Sequence, residues 1–425
     1  MSDLESIDYF TDMSLVPNPY DYYDQLRSKC PVQNATPYGV MAVTGYREAL
    51  AAYKDPAMSS CVAVAGPFPP LPFTPEGDDI SAQIEEHRAA IPMAEHIVTM
   101  DAEAHQRTRG LLSKLITPKR LSENEEFMWR LVDQQLDKIV DRGSCEFMEE
   151  FAKPLALLVI ADLLGVPAED HQEFKQMMGA EPLGEVEGNS GETVAHNPLA
   201  WLDEKFTSYI SDRRRQPRAD VLTELAGATY PDGSVPEVDE VVKLATFLFA
   251  AGTDTTTKLV GTAMRMLGER PDIQQSLREN RAQIPAFLEE CLRMESPVKS
   301  HFRLASTSTT IGDHEVPAGT ILMMLPGASN RDPRKFEDPH AFKHDRSNVR
   351  EHVAFGRGPH SCPGSPLARA EARIAVNRIL DRMADIRISE EMHGPPDSRK
   401  YDYEPTFIMR GLTALHVEYD PLPDD

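Results

Sequence analysis

Cysteine, tryptophan and long apolar runs are all scarce in this chain. Its 425 residues include 5 cysteines and 2 tryptophans, and no two cysteines have the Cys-x-x-Cys spacing of a metal or redox motif. No apolar stretch approaches the roughly 18 residues that a membrane-spanning helix needs. Residues 1–32 lack the basic start and apolar core of a secretory signal peptide. We therefore expect a cytoplasmic protein without a disulfide framework or a membrane anchor.

Positive charge is also in deficit. The chain has 44 Lys and Arg residues against 68 Asp and Glu residues, which gives a formal net charge of −24 at pH 7. Such a balance argues against nucleic acid and against an anionic membrane surface as partners. It does not exclude an acidic protein partner, because a local basic patch decides docking more than the total charge does.

Linkers, internal repeats and low-complexity segments are absent as well. With 41% hydrophobic and 26% charged residues, the composition is that of an ordinary globular protein. We predict one large domain over residues 1–425. A mixed strand and helix part is expected at about residues 1–60, and a helix-rich core at about residues 100–390.

One cysteine stands in an unusual setting. Cys362 is surrounded by glycines, follows an aromatic residue, and precedes a helical pattern that begins at about Pro366. A cysteine just ahead of a helix N-terminus is favoured as a thiolate by roughly 0.3–1 kcal/mol. A free cysteine is usually a buried, inert residue. The surrounding pattern favours a functional one here.

Residues 355–364 read Phe-Gly-x-Gly-x-His-x-Cys-x-Gly, and this pattern resembles the haem-binding loop of the cytochrome P-450 family. The resemblance implies that Cys362 is the axial thiolate ligand of the iron of haem b. It implies that His360 binds a haem propionate. Other cofactor-binding residues of the loop would be Phe355, Gly356, Gly358 and Gly364. Pro363 departs from the usual pattern, and its missing N–H either strengthens the thiolate as an electron donor or only stiffens the turn.

A histidine and an arginine four residues apart form a second motif. Asp101 is predicted to cap a helix on which His105 and Arg109 share one face. The stretch resembles the family's Asp-x-x-x-His-x-x-x-Arg helix, whose His and Arg bind a haem propionate. Arg303, predicted on a strand, matches a further propionate-binding position of the family.

The longest apolar helical pattern spans residues 244–267, and its middle contains two residues that are unfavourable inside a buried helix. Gly252 costs about 1 kcal/mol inside a helix, and a buried Asp254 is costly unless it has a partner. The stretch resembles the family's Ala-Gly-x-Asp-Thr oxygen-activation motif, which implies catalytic roles for Gly252, Asp254 and Thr255. Gly252 would leave room for dioxygen, Thr255 would hydrogen-bond it, and Asp254 would relay protons.

Glu290 and Arg293 form a Glu-x-x-Arg pair on a predicted helix. An isolated Glu-x-x-Arg pair is weak evidence for a specific role, since such ion pairs are common on helix surfaces. With Ser296-Pro297 after it, the pair resembles a structural network that lies behind the haem in this family. We therefore expect a structural role, and the family resemblance as a whole predicts a mainly α fold with small β-sheets.

The expected function is that of a haem-thiolate monooxygenase acting on a small-to-medium apolar substrate. Its pocket is expected to include Leu248, Ala251, Val298, Phe302 and Phe407. The proline-rich residues 59–99 are expected to form a wall over that pocket, and residues 179–198 are expected to form a loop that acts as a lid. Nothing in these segments distinguishes a terpene from a steroid, a fatty acid or an aromatic compound.

Electrons are expected from a separate ferredoxin-type protein, because no nucleotide-binding motif follows the haem loop. Cations near the loop and the His105 helix could form its docking patch; they are Arg107, Lys114, Lys119, Arg120, Arg357, Arg369 and Arg373. We expect a monomer. Three alternatives stay open. The first is a family member that uses peroxide, performs coupling or nitric oxide reduction, or is otherwise non-hydroxylating. The others are a non-catalytic haem sensor or apolar-ligand carrier, and a zinc site at Cys362 with His352 and His360.

Overall fold

The computed structural model describes residues 7–34, 36–177, 199–230 and 232–423. The predicted loop at residues 179–198 lies outside the described residues. Within the described part the chain is mainly helical with small sheets, as expected. The helices are Tyr20–Lys29 (α1), Tyr46–Lys54 (α2), Ser81–Glu86 (α3), Ala102–Leu115 (α4), Pro118–Leu136 (α5), Lys153–Leu164 (α6), His171–Met177 (α7), Ala200–Arg215 (α8), Val221–Ala226 (α9), Val238–Glu269 (α10), Pro271–Glu279 (α11), Ile284–Met294 (α12), Pro326–Ser329 (α13), Ser365–Arg382 (α14) and Glu390–His393 (α15).

Ten short strands are described: Val32–Asn34 (β1), Met41–Val43 (β2), Met58–Ser59 (β3), Ser144–Glu146 (β4), His301–Ala305 (β5), Thr309–Ile311 (β6), His314–Val316 (β7), Ile321–Met324 (β8), Met383–Ile388 (β9) and His416–Pro421 (β10). A five-stranded sheet has the order β1-β2-β8-β5-β3, in which β2 and β8 are parallel. The other sheets are β4-β10-β9 and the pair β6-β7. Because the first sheet pairs early strands with strands beyond residue 300, the N-terminal part packs with the rest of the chain.

The long helix α10 runs through the largest core and packs against α6, α8, α12 and α14. It starts at a capping box, in which Glu237 and Glu240 each accept a hydrogen bond from the other's backbone. It ends before Pro271, which cannot continue an α-helix. Most of its apolar residues are buried. The helix predicted over residues 244–267 is therefore confirmed and is longer at both ends.

Helix α6 is apolar on nearly every face, and eight of its twelve residues are buried. It ends at Gly165, whose φ of 75° lies in the left-handed region that favours glycine. Its side chains pack against α10 in the main core. The apolar composition of α6 and the conformation of Gly165 thus account for a buried helix that ends at this residue.

The predicted connection at residues 59–99 holds the short helix α3 and otherwise consists of turns. Cys61, Val62, Ile80 and Ile84 are buried in a second apolar cluster with the N-terminal aromatic residues. The connection is therefore packed against the body of the protein, as its apolar content indicates.

Candidate functional site

A cavity of about 300 Å³ lies between α4, α6, α10, β5 and the loop before α14. Most of the residues singled out in the sequence line it; they are Leu248, Ala251, Gly252, Thr255, Val298, Arg303, Phe355, Gly356, His105, Arg109, His360, Cys362 and Gly364. Residues predicted from four separate motifs, far apart in the sequence, thus meet at one place.

Cys362 lies on the loop between a short 3₁₀ turn at Gly358–His360 and helix α14. Its backbone N–H donates to the Phe355 carbonyl oxygen at 2.9 Å, which holds the loop closed. Burial raises the pKa of the Cys362 thiol, and the backbone amides of Gly364 and Ser365 act in the opposite direction. Those two amides remain available to the sulfur although Pro363 has no N–H.

Gly358 is the exception among the loop glycines, because the structure places it away from the cavity wall. Its φ is 73°, and a Cβ added there would come within 2.4 Å of the Tyr53 carbonyl oxygen. Gly358 therefore lets the loop pack closely on α2, and its expected contact with the cofactor stays a prediction.

Two arginines and two histidines converge on one side of the cavity. His105 and Arg109 lie one turn apart on α4, and Arg303 projects from β5. The rings of His105 and His360 have centroids 4.0 Å apart. Burial, with neighbouring positive charge, lowers the pKa of His105 to about 4, and burial also lowers the pKa of the Arg109 and Arg303 guanidinium groups.

These cations have few partners inside the protein. Arg109 Nη2 donates to the Ser361 carbonyl oxygen at 2.7 Å, and Arg303 Nη1 donates to the Phe302 carbonyl oxygen at 2.6 Å. Within residues 7–34, 36–177, 199–230 and 232–423, no carboxylate forms an ion pair with either guanidinium. Buried cations without counter-ions are costly. The cluster is therefore suited to a bound group that carries carboxylates.

Asp101 has a different task from the predicted one. It occupies the N-cap position of α4, but its side chain makes no capping hydrogen bond. Its carboxylate instead accepts from the Ser59 hydroxyl at 2.6 Å and the Ser60 backbone N–H at 2.9 Å, and it lies 3.6 Å from His360 Nε2. Asp101 thereby joins the start of α4, the connection after β3, and the loop of Cys362.

Helix α10 forms the opposite side of the cavity. Thr255 and Gly252 face the cavity, and the Thr255 hydroxyl donates to the Ala251 carbonyl oxygen at 2.7 Å. A Cβ at Gly252 would meet the Ile160 side chain at 3.3 Å. The absence of a side chain at Gly252 therefore keeps α6 and α10 in close contact beside the cavity.

The expectation that Asp254 is buried is wrong. Its side chain is 46% exposed and does not line the cavity. It forms an ion pair with Lys258, one turn later on α10, and Lys258 Nζ also lies 2.9 Å from Glu404 Oε1. Among these three charged residues the most deeply buried is Lys258, whose side chain is 1% exposed. The helical spacing of Asp254 and Lys258 was the signal that could have shown this pairing.

Of the five residues expected in the substrate pocket, Leu248, Ala251 and Val298 line the cavity. Phe302 and Phe407 do not line the cavity; they pack against Phe10 in the second core cluster, with Phe10 and Phe407 ring centroids 4.9 Å apart. On strand β5 alternate side chains point to opposite faces, which sends Phe302 away from the face of Arg303. Ala63, Ile97 and Val98 also line the cavity, and they come from residues 59–99, which were expected to form a wall over it. Lining residues that the sequence analysis did not single out include Leu163, Phe247 and Ile408.

Glu290 and Arg293 form a completely buried pair on α12. Arg293 donates through Nε and Nη2 to the two Glu290 carboxylate oxygens at 2.7 and 2.8 Å. Its Nη1 donates to the Asn330 carbonyl oxygen at 2.8 Å. The pair does not line the cavity. Its contacts hold α12 against the segment after α13.

A zinc site at Cys362 does not form. His352 Nε2 is 2.9 Å from Glu289 Oε2, and its Nδ1 accepts from the Ala354 backbone N–H at 3.1 Å. Across the part of the chain that the structure describes, no three His, Cys, Asp or Glu residues are grouped to hold a metal ion.

The chain is similar to known proteins in sequence and in fold. Cytochrome P450 107B1 of Saccharopolyspora erythraea is 34% identical to this chain over 323 residues, which is 76% of each protein. The chain belongs to the cytochrome P450 family. The family model described as Cytochrome P450 matches residues 195–392. The biotin biosynthesis cytochrome P450 of Bacillus subtilis is 30% identical over 407 residues, or 95% of this chain and 96% of that protein.

A solved structure gives the same result for the fold. Mycobacterium marinum cytochrome P450 CYP150A6 in the substrate-free form superposes with a TM-score of 0.92 at 60% identity, and the match covers 99% of this chain and 100% of that one. The fold is therefore the α+β cytochrome P450 fold that the haem-loop resemblance predicted. Among the described residues, no helix combines the length and apolar character needed to cross a bilayer.

Cytochromes P450 are haem-dependent monooxygenases, and haem b is their cofactor. The residues of the cavity fit that group. The cationic cluster of His105, Arg109 and Arg303 lacks carboxylate partners within the described chain, and haem carries two propionates. A cysteine sulfur faces the same cavity, in keeping with the sulfur ligand that the family uses.

Proposed function

We propose that this cytochrome P450 hydroxylates a small-to-medium apolar substrate with dioxygen and with electrons from a separate ferredoxin. The observation that carries the proposal is the composition of one cavity. One side presents the Cys362 sulfur and unpaired cations, and the other presents Thr255 and apolar side chains. Haem b supplies the dioxygen and one-electron chemistry when it is bound.

In this proposal Cys362 ligates the iron as a thiolate. His105, Arg109, Arg303 and His360 hold the propionates through charge-assisted hydrogen bonds. Phe355, Gly356 and Gly364 shape the loop around the ligand. The amides of Gly364 and Ser365 lie close to the sulfur and spread its negative charge.

The remaining lining residues act on the substrate and on protons. Apolar side chains such as Leu248, Val298 and Ile97 exclude water and bind substrate by burial of apolar surface. The Thr255 hydroxyl is positioned to hold a proton at the cavity and to pass it on. Gly252 keeps the helix surface beside it free of side chain.

The proposed ferredoxin is taken to be an acidic protein, so its docking requires a basic contact surface on this protein. Four of the predicted patch cations are engaged in ion pairs within the chain; they are Lys119, Arg120, Arg369 and Arg373. Neither Arg107 nor Arg357 forms an ion pair with a described carboxylate: Arg107 donates to the Ser234 hydroxyl, and Arg357 donates to the carbonyl oxygens of Arg350 and His352. Because Arg357 also lies beside the Cys362 loop, we place it at the centre of the ferredoxin contact.

The protein is proposed to work as a cytoplasmic monomer. Its relatives are bacterial cytochromes P450. Exposed large apolar side chains among the described residues are few and scattered in the sequence, as in Met13, Val235 and Met392, and this is the pattern of a surface without a large permanent interface. Size-exclusion chromatography tests the oligomeric state.

The first experiment is a spectrum. The purified protein is supplied with haem, reduced and exposed to carbon monoxide, and the strongly red-shifted absorption band of a thiolate-ligated haem is expected. Cys362→Ser should abolish this band, and Cys145→Ser, at a buried cysteine away from the cavity, should keep it. A wild-type protein with bound haem but without the band would overturn the proposal.

The second experiment separates the alternatives. A panel of apolar compounds is screened for displacement of the water on ferric iron, and each binder is incubated with NADH, a ferredoxin and its reductase under labelled dioxygen. Label in the product supports hydroxylation with dioxygen. Product only with added peroxide identifies a peroxide-using enzyme, and spectral shifts without product identify a sensor or carrier.

A further inference from the structure

Two further polar side chains line the cavity, and none of the sequence motifs includes them. Tyr53 belongs to the last turn of α2, and His301 is the first residue of β5. The Tyr53 hydroxyl oxygen lies 2.6 Å from His301 Nδ1, and the two rings meet edge to face with centroids 5.7 Å apart. A short hydrogen bond therefore joins two residues that are 248 positions apart in the sequence.

The pair lies beside the arginine of β5. Side chains alternate between the two faces of a strand, so His301 and Arg303 point to the same face of β5, and both line the cavity. The positive charge of Arg303 acts on both rings of the pair, which places them near its guanidinium group. Tyr53 and His301 therefore lie on the side of the cavity that holds the cationic cluster.

Tyr53 is held in place from two directions. It is 6% exposed, and its backbone carbonyl oxygen packs against Gly358 of the Cys362 loop, where an added Cβ would come within 2.4 Å. Its hydroxyl group at the other end contacts β5 through His301. Tyr53 thus links α2, the Cys362 loop and β5, and its hydroxyl has a defined position at the cavity.

Both members of the pair are uncharged at neutral pH. Burial, together with the charge of Arg303, lowers the pKa of His301 to about 3, and burial raises the pKa of Tyr53. A neutral imidazole has one N–H donor and one acceptor nitrogen, so the hydrogen bond at one nitrogen determines the role of the other. His301 Nε2 forms no hydrogen bond with a described residue. It is therefore the ring atom that a group bound in the cavity can contact.

An anionic group in the cavity selects between the two tautomers of His301. A carboxylate accepts hydrogen bonds, so it is attracted to an Nε2–H and repelled by an Nε2 lone pair. We propose that His301 Nε2–H donates to a haem propionate, and that Tyr53 is a positioning residue that fixes this tautomer by donating to Nδ1. The inference rests on the proposed function, in which the propionates lie at the Arg303 side of the cavity.

The pair supplies a hydrogen-bond donor without supplying a charge. The guanidinium groups of Arg109 and Arg303 already lie at this side of the cavity, and a further cation there would need a further counter-ion. A propionate carries one negative charge but has several acceptor lone pairs. A neutral donor can therefore bind to acceptor positions that the arginines leave open.

The test measures haem release to excess apomyoglobin from proteins that show the carbon monoxide band. We expect His301→Leu to release haem about tenfold faster, which corresponds to the lower end of the range for one hydrogen bond to a charged group. Tyr53→Phe should release haem faster than wild type but more slowly than His301→Leu, because the imidazole remains while its tautomer is no longer fixed. Tyr46→Phe is the matched control. The Tyr46 hydroxyl lies on the same helix, donates to the Glu351 carbonyl oxygen away from the cavity, and its loss should leave the release rate unchanged.

Two amide substitutions separate hydrogen bonding from packing. The side-chain amide of glutamine can place an N–H donor near the position of Nε2, whereas the shorter asparagine side chain reaches only the position of Nδ1. His301→Gln should therefore release haem more slowly than His301→Asn. Equal release rates for the glutamine, asparagine and leucine variants would show that His301 only packs β5, and would overturn the inference even if one variant folds poorly.

A second readout reports the tautomer directly. NMR of isotope-labelled histidine ring nitrogens is recorded on the reduced, carbon monoxide-bound protein, and the His301 signals are identified by their loss in His301→Gln. We expect the ring proton on Nε2, and a proton on Nδ1 would overturn the inference. Wild-type haem release from a His301→Leu protein with an intact carbon monoxide band would overturn this inference alone. A haem-loaded wild-type protein without the band would overturn the proposed function, and the inference with it.

Discussion

Removing the guanidinium group of Arg303 should have opposite effects on the haem-loaded and the haem-free protein. In the structure Arg303 lines the cavity, donates one hydrogen bond to a backbone carbonyl, and has no carboxylate partner within the described residues. If it binds a propionate, the Arg303→Leu variant loses a charge-assisted interaction worth about 1.5–3 kcal/mol. That loss corresponds to haem release that is roughly 10- to 150-fold faster, at tenfold for each 1.4 kcal/mol.

The haem-free form should respond differently. Without haem, the Arg303 guanidinium is a partly buried cation without a carboxylate counter-ion among the described residues, and its removal relieves part of a desolvation cost. The urea midpoint of haem-free Arg303→Leu should therefore be equal to or above that of the haem-free wild type. Haem transfer to excess apomyoglobin measures release, and circular dichroism measures the midpoint.

The control is Arg270→Leu, because Arg270 is an exposed arginine that pairs with Asp272 at the protein surface. It should release haem at the wild-type rate. Two results would refute the reasoning for Arg303→Leu: haem release at the wild-type rate, or an equal loss of stability in both forms. The second result would identify Arg303 as a structural residue of β5.

Three further predictions concern the loop and the buried carboxylates. Pro363→Leu adds an N–H beside the Cys362 sulfur. If the new hydrogen bond differs in strength by about 1 kcal/mol between the two iron oxidation states, the reduction potential should rise by roughly 40 mV. An unchanged potential in a redox titration would leave Pro363 only a role in stiffening the turn. Glu371 is buried with its Oε1 unpartnered, and burial raises its pKa to about 8. Between about pH 4 and about pH 8 the unfolded state therefore releases a proton that the folded state keeps. The free energy of unfolding falls over this range by up to about 1.4 kcal/mol per pH unit. Glu371→Gln should therefore flatten the pH dependence of the thermal midpoint, and parallel profiles for both proteins would contradict this. Arg293→Met removes the bidentate partner of the buried Glu290 carboxylate and leaves only Arg346, whose Nε lies 3.3 Å from Glu290 Oε1. Breaking a buried ion pair costs up to about 3–5 kcal/mol, so the yield of folded, haem-loaded protein should fall sharply. A wild-type thermal midpoint would show that the pair is not needed.

The sequence was most informative where chemistry demands particular residue types at fixed spacing. The residues that lie at the cavity are Cys362 with Gly356 and Gly364, the His105 and Arg109 pair, and Thr255 with Gly252. Each motif is local, and its side chains share a helix face or a tight loop, so the spacing alone predicts a common direction. The composition of α6 indicates a buried helix, because it is apolar on nearly every face, and Gly165 permits the left-handed conformation at which the helix ends.

The apolar wall was less predictable, for a physical reason. Phe302 and Phe407 are as apolar as any lining residue, and the core and the cavity both select such side chains. Only the direction of each side chain separates the two sites, and it depends on sheet register and on packing with the N-terminal Phe10. Ile97 and Val98 lie in a 3₁₀ turn at Ile97–Thr99, which is too short for periodicity to indicate a direction.

The outward orientation of Asp254 was missed for a related reason. Its partner Lys258 could be read from helical spacing, but Glu404 lies in a distant turn that the sequence does not connect to α10. Without that contact, an aspartate in an apolar helix was interpreted as buried. The structure shows that the lysine is the buried member of the pair.

The two sides of the cavity differ in how freely they can change during evolution. Arg109, His360 and Cys362 belong to a frame that Asp101 holds together by joining three segments, so a substitution there disturbs several elements at once. Val98 and Ile408 contribute only shape and apolar surface to the opposite wall. Descendants of this chain can therefore acquire new substrates through small changes in volume at that wall while the haem-binding frame is inherited intact.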